Sequence, residues 1–116
     1  MKREHKYVLD DNGVPRPCAD IIEWATWYES TSNRSVHFHV IDTVQVSTVF
    51  LGIADITWCM GFGPEEPPPM FETLVQGGVH DGERERYHTK VEAQVGHARW
   101  LTRVLATTPR LSWRRA

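Results

Sequence analysis

The run VHFHVIDTVQVSTVFLGI, residues 36–53, restricts this chain more than any other stretch. In its first half Val36, Phe38 and Val40 alternate with His37, His39 and Ile41, which is the two-residue period of a strand. Its second half is dense in β-branched residues and is apolar on both faces, with Val44, Val46 and Phe50 against Val49, Leu51 and Ile53. A strand apolar on both faces belongs in the middle of a sheet. Only Asp42 and Thr43 separate the halves, so the connection is a tight hairpin and the pairing antiparallel. The rest of the fold has to be built on this pair.

A second hairpin follows. MFETLVQG places Phe71, Thr73 and Val75 on one face and Met70, Glu72 and Leu74 on the other, and ERERYH returns beside it after a bend made permissive by Gly77, Gly78 and Gly82. Upstream, HKYVLD reads as a short strand closed by the turn DDNG, and Pro15 and Pro17 hold the next residues extended. ADIIEWATWYES is helical in pattern, with Ile21, Trp24, Ala25 and Tyr28 forming the core-facing stripe and Ile22 and Trp27 on its flanks. The clearest local signal is Thr89 with Glu92 three residues later, a capping box. The helix it opens is expected to bury Val91, Val95, Ala98, Leu101 and Leu105, to turn Glu92, Arg99 and Arg103 outward, and to stop before Pro109.

These elements predict an α+β fold in the order β-α-β-β-β-β-α, a four- or five-stranded antiparallel sheet with two helices on one face. At 116 residues the chain suits one domain, here 1–108, followed by a basic flexible tail at 109–116. A sheet covered on one side leaves its other face open, where His37, His39 and Ile41 would line a homodimer interface.

Composition excludes several classes. The apolar fraction of 41% and charged fraction of 24% are those of a globular domain, and no apolar run approaches the roughly 18 residues of a membrane span. The start, MKREHKY, is positively charged but has no apolar segment after it, so a cytoplasmic protein is expected. Cys18 and Cys59 form no Cys-x-x-Cys pair and read as buried free thiols. A net charge of −2 carries no global nucleic-acid signature.

Chemistry-bearing residues are few. His37 and His39 share one face of a strand and would ligate a metal only if Glu72, His80 or His88 converged on them. Ser47 and Thr48 lie within a strand rather than on a nucleophile elbow, and GFGPEE lacks the lysine and following helix of a phosphate loop. In DGERERYH, Glu83, Glu85 and Tyr87 alternate with Arg84, Arg86 and His88, the pattern of a charged sheet edge that discourages association. His97 is expected to be a hydrogen-bonded residue at the boundary of the core. No catalytic residues and no cofactor are expected. Two features remain. The loop at 54–69 is long and apolar, and its Trp58, Met60 and Phe62 are the side-chain types that anchor protein interfaces. The C-terminal end carries Arg99, Arg103, Arg110, Arg114 and Arg115 with Trp113 and no acid, a candidate nucleic-acid contact.

The segments VSTVFLG, FETLVQGG and ERYHTKVEAQVGHAR, within 45–99, together resemble a family of small uncharacterised proteins encoded in tailed phages and prophage regions. The resemblance implies phage origin and a shared fold. The chain departs from it at ADITW, where the family has a more polar stretch, and at Gln76, where it has an aromatic. By analogy with small phage proteins that bind host machines, the leading expectation is a non-catalytic accessory protein that binds a host protein or protein complex through Trp58, Met60 and Phe62. Inhibition of a bacterial defence system, such as CRISPR, is its expected role. The alternatives are a nucleic-acid-associated phage protein using the basic C-terminal residues, and a metal-binding module or enzyme on His37 and His39.

Overall fold

A computed structural model describes residues 3–108. It contains β1 (Tyr7–Leu9), β2 (Pro15–Pro17), α1 (Ile21–Tyr28), α2 (Thr31–Arg34), β3 (Ser35–Ile41), β4 (Val44–Phe50), α3 (Ile56–Cys59), β5 (Phe71–Gln76), β6 (Arg84–Tyr87) and α4 (Lys90–Ala106). The main sheet is antiparallel throughout, in the order β3-β4-β5-β6, which is the expected α+β architecture with β4 central. The tail at 109–116 lies outside the described residues.

The β3–β4 hairpin turns on Asp42 and Thr43, with Asp42 at φ 57°. Its register continues across the sheet as rows: Phe38 faces Ser47, Ser47 faces Leu74, and Leu74 faces Arg84. The first strand is not part of this sheet. β1 pairs instead with β2 in a separate ribbon, where prolines at both ends of β2 are tolerated because a two-stranded ribbon has only edges. A bridge between Lys6 and Ile53 links the ribbon to the chain beyond β4, with the Tyr7 N–H donating to the Gly52 carbonyl and the Ala54 N–H to the His5 carbonyl.

One face of the sheet is buried. Val46, Thr48 and Phe50 of β4 alternate inward with Phe71, Thr73 and Val75 of β5, and all six are essentially inaccessible. α4 lies across them. Its capping box is formed as expected, with Thr89 Oγ1 accepting from the Glu92 N–H and Glu92 accepting from the Thr89 N–H. The buried stripe, however, is Ala93, Gly96, His97, Trp100 and Val104, while Val91, Val95, Ala98 and Leu105 face outward. Leu101, between the two, is half-buried. At 100° per residue the two stripes lie on opposite sides of the helix, so the expected orientation is corrected by about half a turn. Trp100 decides it, since its large ring contributes more burial than Val91 or Val95, and its indole N–H finds a partner in the Glu85 carboxylate.

α1 keeps Trp24 and Tyr28 inward as expected but is turned by a smaller angle, toward Trp27. Asp20 is its N-cap, accepting from the Ile22 and Glu23 N–H groups. Trp24, Trp27 and Tyr28 are its half-buried residues, whereas Ile21 and Ala25, expected in the core, are exposed. Trp27 meets Phe50 edge-on at 5.8 Å, and Trp24 Nε1 donates to the carbonyls of Tyr7 and Gly52, both at 3.2 Å. α1 therefore seals the Phe50 end of the core and joins it to the β1–β2 ribbon. Cys18 and Cys59 are buried free thiols, as expected.

Candidate functional site

A chain of polar side chains crosses the buried face. Glu85 of β6 accepts from Arg99 at 3.1 Å, from the Trp100 indole at 2.9 Å and from the Tyr87 phenol at 3.1 Å. Burial raises the Glu85 pKa, and these donors more than reverse it, so the group stays below the usual carboxylate range and is ionised at neutral pH. An ionised carboxylate only accepts, so the single phenolic proton of Tyr87 points to Glu85. Tyr87 Oη, 3.1 Å from Thr73 Oγ1, must then accept from Thr73. Thr73 in turn accepts from Thr48 at 2.5 Å, and Thr48 from His97 Nδ1 at 2.7 Å. His97 Nε2 is left as an acceptor, 2.9 Å from His39 Nδ1. One accounting thus fixes every hydroxyl and both imidazole tautomers, all donating toward Glu85.

His97 is 1% exposed, and burial, followed by the neighbouring His37 and His39, pushes its pKa down to about 4. It is a neutral, fully bonded core histidine, deeper than the boundary position expected of it. The His37 and His39 rings lie 5.2 and 5.1 Å from the His97 ring. Both therefore look toward α4 rather than onto the open sheet face, and Ile41 is on that side too, packed against the cluster that holds Val46 and Trp100. The homodimer face expected of these three residues is corrected accordingly: Phe38 and Val40 occupy the open side.

The third ligands considered for His37 and His39 lie elsewhere. Glu72 is buried on the open face between Arg84 and Arg86, at 3.5 and 2.9 Å. His80 meets Trp100 edge-on at 5.6 Å. Among the described residues, no group of three or more His, Cys, Asp or Glu side chains is placed to hold a metal ion.

The apolar loop divides its anchors. Trp58 lies on the short α3, is only 7% exposed, joins the core cluster with Tyr7 and Phe71, and donates from Nε1 to the Pro64 carbonyl at 3.0 Å. The Arg3 guanidinium lies 5.0 Å from its ring and donates to the same carbonyl. Trp58 is a structural pin. Phe62 is 69% exposed and Met60 is also exposed. Phe62 lines a groove of about 400 Å³ with the proline run at 67–69, Arg86 and His88. Arg86 and His88 also line a neighbouring groove of about 320 Å³ with Val91 and Val95, which are 68% and 57% exposed. The two grooves form one surface from Phe62 past β6 to the outer stripe of α4.

No family model, curated protein or solved structure matches the chain.

Of the basic residues, Arg99 is committed to Glu85 and Arg103 stacks 4.5 Å above Trp100. Arg110, Trp113, Arg114 and Arg115 lie outside the described residues. Sequence reasoning missed Val91 and Val95 as surface residues because it placed them in the core. It missed the Thr48–Thr73–Tyr87 bridge because no local pattern joins residues on three strands. The one available signal was the position of Thr48 and Thr73 at core-facing places of their strands, where a hydroxyl requires a partner.

Proposed function

We propose that this chain is a non-catalytic accessory protein of phage or prophage origin that binds a host protein in the bacterial cytoplasm and inhibits a defence system. The observation that supports the binding part is the continuous surface running from Phe62 across the proline run at 67–69, past Arg86 and His88, to Val91 and Val95. Exposed aromatic and apolar side chains with an arginine among them are of the types enriched at protein interfaces. Met60 and Phe62 remain anchors in this reading, Val91 and Val95 join them, and Trp58 supports them from beneath. The phage origin and the defence role rest on the resemblance of the segments within 45–99.

The polar chain from His39 to Glu85 supports a structural rather than a catalytic role, because its hydroxyls are buried and each is already bonded. The nucleic-acid reading is weaker, since the carboxylate of Glu85 already neutralises Arg99.

The test is a pull-down from bacterial lysate, with and without nuclease, using the wild-type chain and the variants Phe62→Asp and Val95→Asp. The expected result is a stoichiometric protein partner that survives nuclease and is lost with either variant, while circular dichroism shows both variants folded. Recovery of nucleic acid alone, or capture unaffected by both variants, would sink the reading. The defence role predicts that expressing the chain in a host protected by the targeted system restores phage plating.

A further inference from the structure

β3 is an edge strand of seven residues, Ser35–Ile41, and five of the seven are exposed. Edge strands are ordinarily guarded by charges, prolines or shortness. The opposite edge, β6, follows that rule, with four residues of which Arg84, Glu85 and Arg86 are charged. β3 does not. It contains no Lys, Arg, Asp, Glu or Pro, and its only irregularity is a bulge between Ser35 and His37 at one end.

The sequence of this edge is a palindrome, Val36-His37-Phe38-His39-Val40, centred on Phe38. Two antiparallel copies related by a two-fold axis through Phe38 would set Phe38 against Phe38 and His37 against His39, while Val36, unpaired at the bulge, packs against the core cluster of Phe50. Backbone geometry agrees. The two-residue connection makes Ile41 and Val44 the closing hydrogen-bonded pair of the hairpin, so bonding to β4 alternates from there and falls on His39 and His37. Phe38 and Val40 consequently turn their N–H and C=O groups away from β4, toward the open edge. The residue at the centre of the palindrome is thus one whose backbone is free to bond its own copy.

Side chains fit the same arrangement. Phe38 and Val40 are 54% and 55% exposed on the face that α4 leaves uncovered, where cross-strand pairing would set the Phe38 ring against that of the second copy. An unguarded, uncharged edge would accept many strands. Self-complementarity about one residue selects a second copy, because a closed two-fold interface needs the same patch to match itself.

We infer that β3 is a homodimer seam, in which two copies pair antiparallel through Phe38 to make one continuous eight-stranded sheet. This seam lies on the sheet edge opposite the surface of Phe62 and Val95, so it is independent of the host-partner reading and fails separately from it.

The test is sedimentation of the full chain with amide hydrogen exchange, at about 100 µM, where a small interface is populated, and at about 1 µM. The expected result is a doubled mass at the higher concentration, with slow exchange at Phe38 and Val40 that becomes fast on dilution. Phe38→Lys should be monomeric with an unchanged near-ultraviolet circular dichroism spectrum. Val40→Pro, which removes an outward N–H and no bond to β4, should be monomeric too and serves where the first variant disturbs folding. A wild-type chain that stays monomeric at the higher concentration would overturn the inference. So would a dimer that survives both variants while Phe38 exchanges freely.

Discussion

The Tyr87 ring packs directly onto Gly96, so closely that a Cβ at Gly96 would sit 2.3 Å from three of its atoms, the phenolic oxygen included. Glycine inside a helix ordinarily costs about 1 kcal/mol relative to alanine. Here it leaves room between α4 and the sheet for the Tyr87 ring to lie where its hydroxyl meets both Glu85 and Thr73. Gly96→Ala is expected to destabilise the fold by about 1–3 kcal/mol despite its better helix propensity, because the ring has to move. Urea unfolding measures this, and a variant as stable as wild type would contradict the packing.

Thr48 joins two halves of the polar chain. Thr48→Val keeps the shape but leaves the His97 Nδ1–H and the Thr73 hydroxyl each short of a partner, at an expected cost of about 1–3 kcal/mol. Ser47→Ala, one residue away on the open face, is expected to change stability by less than about 0.5 kcal/mol. Equal effects from the two substitutions would show that the chain of hydrogen bonds does not hold the sheet to α4.

His97 makes stability depend on pH. Its folded pKa of about 4 lies below the ordinary 6.5, so between these values the unfolded state binds more protons and stability rises with pH. The contribution is complete above pH 6.5 and falls away as the pH drops toward 4, by roughly 3 kcal/mol in all. The lowered carboxyl groups of Glu4, Asp55 and Glu85 act in the same direction, but from about pH 4.5 downward. The interval from 6.5 to 4.5 therefore isolates the histidine. Chemical denaturation across that interval should show a slope in the wild type and a much flatter line in His97→Gln.

The orientation of α4 is testable with two valines. Val104→Ala removes methyl groups from a site 2% exposed and should cost about 2 kcal/mol. Val95→Ala removes them from the outer stripe and should cost less than about 0.5 kcal/mol, within the usual range for surface changes. The reverse order would restore the stripe of Val91, Val95, Ala98, Leu101 and Leu105 to the core.

Local patterns were reliable where one element set its own geometry. The two-residue connection at Asp42 and Thr43, the central place of β4, the charged edge at β6 and the capping box of Thr89 and Glu92 depend on neighbours within a few residues, and each was legible. So was the pairing of β5 with β6 across the glycine-rich bend. The long loop was legible only in part: its apolar composition was plain, but which of Trp58, Met60 and Phe62 would be buried was not. Trp58 turns inward because the Pro64 carbonyl and the Arg3 side chain meet it, and neither contact is implied by the loop's own sequence.

The sequence by itself determined the strands, their hairpins and the α+β class, because side-chain alternation and turn chemistry act over short stretches of chain. The tertiary structure alone decided which faces are covered. α4 carries apolar residues on two opposite stripes, and periodicity cannot choose between them. The choice falls to the stripe whose members find partners in the sheet: Gly96 under Tyr87, His97 on Thr48, and Trp100 on Glu85. The Trp100 ring adds more burial than Val91 or Val95 could, and the polar groups that need partners favour the same side.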